Sequence, residues 1–432
     1  MAHIQKLAIL GGGSTYTPEL LGGFIEQRCE ITVDQVSLYD IHDERLSIVG
    51  GLAQRMFQQA ELDSRIELTG ELDQAVDGAD FIVSQIRVGW MAARALDERI
   101  PLQHNVLGQE TVGAGGIFNA LRSIPVSLRL AQTVARLAPN AWFLNFTNPA
   151  GIITEALIKH SELTRVVGLC NVPINTHNTL AEMLAVRPDQ VWLDWVGLNH
   201  LGWIRSIIVA GQDRLPDILQ RLSGQPSQAV YERFPFRGSL LSTLGLLPTY
   251  YLRYYYETAE IIASMQNLGK TRGELVAEIE NALLQKYRDP ELAAKPVELE
   301  QRGGARYSEA ALHLMLSILN DRRDVQILIV KNNGAISGLP DDVAVEVPAV
   351  VGGHGVVPLV QGEAPSQVKP LLEAVKSSDI LTVDAAVSGS RKMAAQAMWA
   401  NPLVPFELAE SLTDELLEAH RAYLPQFYKR RG

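Results

Sequence analysis

Cys170 and His200 are the two residues whose chemistry stands out in this sequence. Cys170 ends the apolar run 165–169, which predicts a buried parallel strand, and ligands of open α/β sheets bind outside the carboxyl ends of such strands. A thiolate and an imidazole are good ligands for a transition metal, and two protein ligands would leave coordination positions open for a substrate. Alternatively, Cys170 is a small buried apolar residue and His200 a hydrogen-bonded loop histidine. The two residues alone favour the second interpretation, whereas the rest of the chain favours the first.

A glycine-rich turn near the N-terminus predicts a nucleotide site. The apolar strand 6–10 leads directly into the turn, and residues 18–21 have the character of a helix start. Glycines let the backbone approach a pyrophosphate, and the first N–H groups of a helix favour its charge. Tyr16 stands where Gly-x-Gly-x-x-Gly has its third glycine, so a plain tight turn stays an alternative. The predicted cofactor-binding residues of the turn are Gly11, Gly12, Gly13, Ser14 and Thr15.

Asp40 indicates which dinucleotide the site prefers. It ends the predicted strand 35–39, about where an acidic residue takes the ribose hydroxyls and disfavours a 2′-phosphate. We therefore predict NAD rather than NADP. Further strand-like runs at 65–69, 80–85 and 141–146 alternate with helical stretches, which predicts an α/β fold with a doubly wound parallel sheet.

Two loops should bring polar side chains to the carboxyl edge of this sheet. Residues 108–116 are too glycine-rich for a regular element, and such loops usually carry function, although a flexible surface connection is the alternative. Asn148 precedes Pro149, which biases it away from the helical region and can fix its amide toward a ligand. The charged residues of 94–99 are expected on the solvated face of a helix.

The chain changes character near residue 195. Residues 191–196 and 203–209 predict antiparallel strands with His200 at their junction. Because 432 residues also exceed what one core usually covers, we predict a nucleotide-binding domain over 1–195 and an α+β lobe for substrate, metal and oligomerisation over 196–432.

Two segments of the second lobe carry specific expectations. Residues 223–238 predict a loop insertion. Residues 250–256 contain five tyrosines on a predicted helix that begins near Pro248. Most of these tyrosines should be core, but one could be a base if a cation lowers its pKa.

Composition and charge narrow the classes of function. The net charge of −11 has no basic block to offset it beyond residues 429–431, so we expect no nucleic-acid partner, and an anionic substrate must be bound by a few placed arginines. Two cysteines cannot form a disulfide framework, and the N-terminus lacks the pattern of a signal peptide. No apolar run reaches the roughly 18 residues that span a bilayer. We expect a cytoplasmic protein without a membrane partner.

Six motifs cover nearly the whole chain in a characteristic order. They are Gly11-Gly-Gly-Ser-Thr, Gly108-Gln-Glu-Thr, Asn145-Phe-Thr-Asn-Pro149, Gly168-Leu-Cys-Asn-Val-Pro173, Gly197-Leu-Asn-His200 and Leu247-Pro-Thr-Tyr-Tyr-Leu-Arg-Tyr-Tyr. Together they resemble glycoside hydrolase family four, whose NAD- and metal-dependent enzymes are an exception to two-carboxylate glycoside hydrolysis. In that family, enzymes for 6-phospho-α-glucosides carry Cys-Asp, galactosidase and glucuronidase relatives carry Cys-His, and 6-phospho-β-glucosidases carry Cys-Asn. Cys170-Asn171 resembles the last group.

The resemblance implies a role for each matching residue. Cys170 and His200 would bind a divalent metal, usually manganese, and Tyr251 would be the catalytic base, with Tyr250 one register away. Glu110 would tune that tyrosine. The implied substrate-binding residues are Arg94, Asn148 and Arg272; around Arg272 the spacing differs from that of the family. Asn145 is a further predicted cofactor-binding residue. Asn171 stands where the α-specific relatives have an acidic proton donor, and because an amide cannot act as a general acid, a dedicated acid is not expected.

The expected activity is hydrolysis of 6-phospho-β-glucosides, such as cellobiose 6-phosphate or aryl β-glucoside 6-phosphates, to glucose 6-phosphate. In the hypothesis, NAD⁺ oxidises C3, Tyr251 removes the C2 proton, the C1 oxygen is eliminated, water adds and the hydride returns. The alternatives are a family-four enzyme for α-linked or unphosphorylated sugars, or a 2-hydroxy-acid dehydrogenase, which shares the two-lobe lactate/malate dehydrogenase-like arrangement. By analogy we expect a homodimer or homotetramer.

Overall fold

Six parallel strands form the centre of the molecule. The computed structural model describes residues 1–224, 227–302 and 306–428. The strands are β1 (Ala2–Leu10), β2 (Ile31–Tyr39), β3 (Arg65–Thr69), β4 (Phe81–Ser84), β5 (Trp142–Asn145) and β6 (Val166–Gly168). Their order, β3-β2-β1-β4-β5-β6, is that of a doubly wound sheet and confirms the predicted α/β fold. Along β1, Leu7 and Ile9 belong to one hydrophobic cluster and Ala8 and Leu10 to another, so both faces of the sheet are covered.

Helices connect these strands and continue past the last one. They are α1 (Thr17–Glu26), α2 (Asp43–Gln59), α3 (Leu72–Val76), α4 (Trp90–Gln103), α5 (Gly113–Leu137), α6 (Ala150–His160) and α7 (Asn171–Leu184). The expectation of an irregular loop over 108–116 is wrong for its second half, because α5 begins at Gly113. A Cβ on Gly115 would lie 2.6 Å from the carbonyl oxygen of Asp97, so this glycine permits the close approach of α4 and α5.

A second, smaller sheet follows. It consists of β7 (Val191–Leu198), β8 (Leu201–Val209), β9 (Gln212–Asp213) and β10 (Leu247–Pro248). Its strands β7 and β8 pair antiparallel with His200 at their junction, as predicted, and the structure shows that junction to be the two-residue turn Asn199-His200. The helices of this region are α8 (Leu215–Ser223), α9 (Gln228–Arg233), α10 (Gly238–Leu244), α11 (Arg253–Tyr256), α12 (Thr258–Asn267), α13 (Arg272–Tyr287) and α14 (Tyr307–Leu319).

Two expectations for this region are wrong. The predicted loop insertion over 223–238 contains α9, although residues 225–226 lie outside the described part of the chain. The tyrosine-rich run is not one helix from Pro248: Pro248 pairs with Trp203 in the second sheet, a 3₁₀ turn covers Tyr250–Leu252, and α11 is only one turn long. These breaks let successive tyrosines face different surroundings.

Three strands from the second half of the chain complete the first sheet. They are β11 (Asp324–Lys331), β12 (Ala344–Gly352) and β13 (Gly355–Pro358), and β11 pairs with β6 in antiparallel fashion. The result is a nine-stranded sheet, in which β11 covers the edge that β6 would otherwise expose. The predicted division at 195/196 stays a prediction, and this sheet extends across it.

The last helices pack against the first sheet's helices. They are α15 (Lys369–Ser388), α16 (Arg391–Ala400) and α17 (Ala409–Ala419), whose buried side chains join the cluster around α5. Within the described ranges, no helix has both the length and the apolar character that crossing a membrane requires.

Candidate active site

The thiol of Cys170 and the imidazole of His200 meet at the carboxyl end of β6. Their Sγ and Nε2 atoms are 3.4 Å apart. Cys170 occupies the junction between β6 and α7, where its sulfur accepts a hydrogen bond from the backbone N–H of Val172. His200 reaches the same point because it sits in the tight β7–β8 turn with a positive φ of 64°. Strand ends from two different sheets therefore bring the pair together.

Neighbouring side chains fix the orientation of the imidazole. Its Nδ1 lies 3.0 Å from Oγ1 of Thr111, which leaves Nε2 to face the sulfur. The preceding residue, Asn199, accepts a hydrogen bond from the backbone N–H of Gly151 and donates one to Glu346. The turn that carries His200 is thus held from both sides.

The electrostatics of the pair fit a metal ion. Burial, with a smaller contribution from Glu346, raises the pKa of Cys170 to about 12, and burial lowers the pKa of His200 to about 3. Burial also raises the pKa of Glu346 to about 8, against a hydrogen bond from Asn199. A neutral imidazole is the form that binds metals, and a bound cation would favour the thiolate. Three or more His, Cys, Asp or Glu side chains do not converge anywhere in the described ranges.

Tyr251 covers the imidazole. The two rings are parallel within 3°, with 3.6 Å between their centroids. Burial, followed by the neighbouring Tyr254 and Cys170, raises the pKa of Tyr251 well above its usual value. Tyr250 packs edge-on against Tyr251 rather than on the imidazole, and its hydroxyl accepts a hydrogen bond from Arg253. The tyrosine at the thiol–imidazole pair is therefore Tyr251.

A large cavity of about 860 Å³ opens beside Tyr251. The predicted site residues that line it are Arg94, Glu110, Asn148, Asn171, Tyr251 and Arg272. Cys170 and His200 are not among its lining residues; they lie directly behind Asn171 and Tyr251. Arg272 is exposed and donates hydrogen bonds to the backbone carbonyls of Gln301 and Arg302.

A network of buried charges supports the floor of this cavity. Arg94 donates to Glu98 at 2.8 Å and pairs with Glu110 at 2.9 Å, and Arg87 also pairs with Glu110. Burial alone would raise the pKa of Glu110, but Arg87 and Arg94 outweigh it and hold the pKa at about 2. The expectation of a solvated charged face is therefore wrong for Arg94, Asp97 and Glu98, which are all buried.

A second cavity, of about 310 Å³, lies at the glycine turn. Gly11, Ser14 and Asp40 line it. The carboxylate of Asp40 accepts the backbone N–H of Gly13 at 2.9 Å and that of His42 at 3.0 Å. A Cβ on Gly12 would lie 2.8 Å from the Cβ of Leu38, so the turn has no room for a larger residue there.

Two predicted cofactor-binding side chains point away from this cavity. The hydroxyl of Thr15 donates to Glu280 at 3.3 Å. The amide of Asn145 is buried inside its own loop, where it donates to the carbonyl of Ala150 and the hydroxyl of Thr154 and accepts the N–H of Thr147. The structure thus uses Asn145 to shape the loop that presents Asn148.

Among the described residues, four line both cavities: Arg87, Asn148, Arg302 and Tyr307. Sequence reasoning assigned a role only to Asn148. Arg87 follows β4, and this position at a carboxyl strand end was the available signal for it. Arg302 and Tyr307 come from the second half of the chain, and no local pattern links them to the glycine turn.

The doubly wound sheet with its second sheet gives the chain a Rossmann-like fold of the dehydrogenase type. At the level of fold alone, the chain resembles malate dehydrogenase from Plasmodium falciparum, with a TM-score of 0.55 at 14% identity over 89% of this chain and 98% of that one. Tyr251 and the thiol–imidazole pair behind it lie at the large cavity, which adjoins the cavity at the glycine turn.

Within this architecture, the chain belongs to the family 4 glycosyl hydrolases. The model of the family matches residues 6–186, and the model of its C-terminal domain matches residues 195–404. The chain is 43% identical to a probable 6-phospho-beta-glucosidase of Bacillus subtilis over 98% of both chains. It is 38% identical to the 6-phospho-beta-glucosidase of Escherichia coli, over 99% of this chain and 98% of that protein.

A solved structure of the same family has nearly the same fold. The 6-phospho-beta glucosidase from Thermotoga maritima, determined with manganese, NAD⁺ and glucose-6-phosphate, gives a TM-score of 0.88 at 34% identity and covers 97% of this chain and 99% of that one. The resemblance inferred from the six motifs is confirmed.

Proposed function

We propose that this protein hydrolyses 6-phospho-β-glucosides to glucose 6-phosphate with NAD and a divalent metal. Manganese is the first metal to test. The observation that carries the proposal is the junction of the two cavities, with Tyr251 and the Cys170–His200 pair on the substrate side. The names of the relatives and the ligands of the Thermotoga maritima structure support it. The dipeptide Cys170-Asn171 supports the β-linked substrate.

The cofactors would supply the electronic part of the reaction. NAD⁺, when bound, takes up a hydride from C3 of the sugar and returns it at the end, so there is no net redox change. A divalent metal, when bound by Cys170 and His200, stabilises negative charge on the sugar oxygens. The cavity boundary at Asn148 and Tyr307 would hold the sugar between these two centres.

The protein's own residues would move the protons. The C3 ketone acidifies the C2 proton, which Tyr251 removes as tyrosinate before the C1–oxygen bond breaks by elimination. The raised pKa of Tyr251 means that it needs positive charge nearby, and the charge of Arg94 is already matched by Glu98 and Glu110. We infer that the bound cofactors supply that charge. Asn171 cannot donate a proton, and elimination from a ketone makes leaving-group protonation less important.

Two arginines would bind the substrate by different means. Arg94, with both carboxylates beside it, is held rigidly at the cavity wall and would position sugar hydroxyls together with Asn148. Arg272 donates to carbonyl groups and pairs with no carboxylate in the part of the chain that the structure describes, and its planar fork suits the 6-phosphate. A cytoplasmic homo-oligomer stays a prediction.

The test is release of p-nitrophenol from the 6-phospho-β-glucoside with NAD⁺, Mn²⁺ and a thiol reductant each present or omitted. Release that needs all three additions, and that is absent with the α-linked and unphosphorylated sugars, is expected. Turnover of an α-linked or unphosphorylated sugar instead would keep the family-four mechanism and change the proposed substrate. Net NADH production without metal would indicate a dehydrogenase.

A further inference from the structure

The cavity at the glycine turn has two ends. One end, at Asn148 and Tyr307, is shared with the large cavity. In the proposed function the nicotinamide ring must reach the sugar to accept its hydride, so that half of NAD⁺ lies there. The adenosine half then lies at the other end, beside Asp40 and Ile41, because these residues follow β2, where the adenosine ribose of a dinucleotide usually binds.

Apolar side chains form the wall at the adenosine end, and one of them comes from the far end of the chain. Ile41, which is 80% exposed and so accessible to a ligand, lines the cavity together with Val126 and Leu130 of α5. Tyr423 lines it as well, and like these three residues it does not line the large cavity. The Tyr423 ring packs against Gly89, where an added Cβ would lie 3.1 Å from Cε2 of the tyrosine.

Tyr423 belongs to a C-terminal segment, residues 420–428, that follows α17. Two 3₁₀ turns, Arg421–Tyr423 and Pro425–Phe427, make up most of the segment. It lies beyond residue 404, the last residue that the model of the family's C-terminal domain matches. The contact between this segment and the cavity is therefore a feature of this chain that the family model does not contain.

The segment is firmly packed on the rest of the protein. Leu424 is fully buried, and the side-chain amide of Gln426 donates to the carbonyl of Leu121 on α5 at 2.9 Å. A side chain at Gly389, just after α15, would collide with the carbonyl of Gln426, so the segment crosses the end of that helix closely. The position of the tyrosine between these anchors is fixed before any ligand binds.

A buried cluster of charged and polar side chains ties the segment to the loop after β4. Nε2 of His420 lies 3.0 Å from a carboxylate oxygen of Asp97, and both side chains are fully buried. Arg122 pairs with the same carboxylate and also donates to the carbonyl of Val88 at 3.1 Å. Val88 lines the cavity at the glycine turn. One carboxylate therefore holds both the loop that lines the cavity and the segment that carries the tyrosine.

We propose that Tyr423 binds the adenine of NAD⁺ and that the C-terminal segment is thereby part of the cofactor site. The base packs on the ring of Tyr423, which is 39% exposed and so keeps a free surface, and it contacts Ile41 on the same rim. Aromatic side chains bind bases in this way because every base has a π-face. The inference rests on the proposed function, since it requires that the protein bind NAD.

The test separates the two halves of the cofactor by calorimetry, with NAD⁺, AMP and nicotinamide mononucleotide as ligands and no sugar present. Tyr423→Ala should weaken the binding of NAD⁺ and of AMP by about tenfold, the loss expected for one stacking contact with a base. Binding of nicotinamide mononucleotide should equal that of the wild type, because this ligand has no adenine. Tyr423→Phe keeps the ring and should bind NAD⁺ and AMP within about twofold of the wild type.

Tyr428→Ala is the matched control. Tyr428 belongs to the same segment and is 37% exposed, but its ring lies under the guanidinium of Arg421 and lines neither cavity, so all three affinities should equal those of the wild type. Thermal unfolding will verify that each variant is folded. Wild-type affinity for AMP in Tyr423→Ala, or a loss that extends to nicotinamide mononucleotide, would overturn the adenine contact while the proposed function stands. A wild-type protein that binds neither NAD⁺ nor AMP would overturn both.

Discussion

The phenol ring of Tyr251 stacks flat on the imidazole of His200, with 3.6 Å between the ring centroids. The contact joins the predicted base to the predicted metal ligand, and it separates the imidazole from the large cavity. Access to Cys170 and His200 therefore depends on the position of this tyrosine. Metal binding by Cys170 and His200 and proton transfer by Tyr251 should be sensitive to the same substitutions.

Replacing Tyr251 should abolish proton exchange at C2. In heavy water, the wild-type enzyme should incorporate deuterium at C2 of the product, detectable by NMR. Tyr251→Phe should slow this incorporation by about 10²–10⁴-fold, the contribution of a positioned base. Tyr250→Phe should lose far less, because the Tyr250 hydroxyl bonds Arg253 rather than the reactive centre. Product without deuterium from the wild type would contradict the elimination mechanism.

Removing the thiol should weaken metal binding. Cys170→Ser should lower the affinity for Mn²⁺ by at least about tenfold, since even residues that only support a ligand typically cost 10–100-fold when lost. Free Mn²⁺ measured by electron paramagnetic resonance checks this without any substrate. Cys29→Ser is the matched control, because Cys29 is exposed and Cys170 is buried. Equal affinity in both variants would remove Cys170 from the metal site.

The glycine turn should not tolerate a side chain at Gly13. A Cβ there would lie 2.9 Å from Oδ2 of Asp40, which accepts the N–H of Gly13. Gly13→Ala should therefore reduce the affinity for NAD⁺ by about tenfold or more, measured by calorimetry. Gly51→Ala is the contrasting change: it lies within α2, where the nearest atom is 3.4 Å from the new Cβ. It should stabilise the protein by about 0.5–1 kcal/mol with NAD⁺ binding intact.

Glu110 should contribute stability that is lost in acid. Its pKa is held at about 2 in the folded protein and lies near 4.5 when unpaired, so the unfolded chain binds a proton first as the pH falls. The contribution, about 3 kcal/mol, is complete above pH 4.5 and declines toward pH 2. Urea unfolding at several pH values should show Glu110→Gln well below the wild type at pH 6 and closer to it at pH 3.

The exposed substitution Glu410→Gln serves as the control for that experiment. It should leave the unfolding midpoint within about 0.5 kcal/mol of the wild type at every pH. A constant gap between Glu110→Gln and the wild type from pH 6 to pH 3 would show that the buried network does not depend on this charge.

The sequence by itself determined the local framework of the site. Alternating apolar runs and helical stretches specify the doubly wound sheet, because strand and helix periodicities are local properties. The glycine turn before α1 and Asp40 after β2 follow from backbone geometry at two strand ends. The positions of Cys170 at the end of β6 and of His200 between two antiparallel strands could also be predicted, since each position depends on a few neighbouring residues.

The tertiary structure alone decided which distant groups share an environment. Arg94, Asp97 and Glu98 look like a solvated face, yet all three are buried. Asp97 pairs with Arg122 of α5, whereas Glu98 accepts the backbone N–H of Gly273 at the start of α13. The three strands β11–β13 join the first sheet through pairing that no local pattern encodes.

The same holds for the boundary between the two cavities. Arg302 and Tyr307 stand more than 200 residues from Arg87 in the chain and line the same two spaces. Contacts of this range arise from the packing of whole elements, and the free energy that fixes them is shared over the core. Local sequence therefore positions each reactive group at its strand end, and only the packed fold sets what faces it.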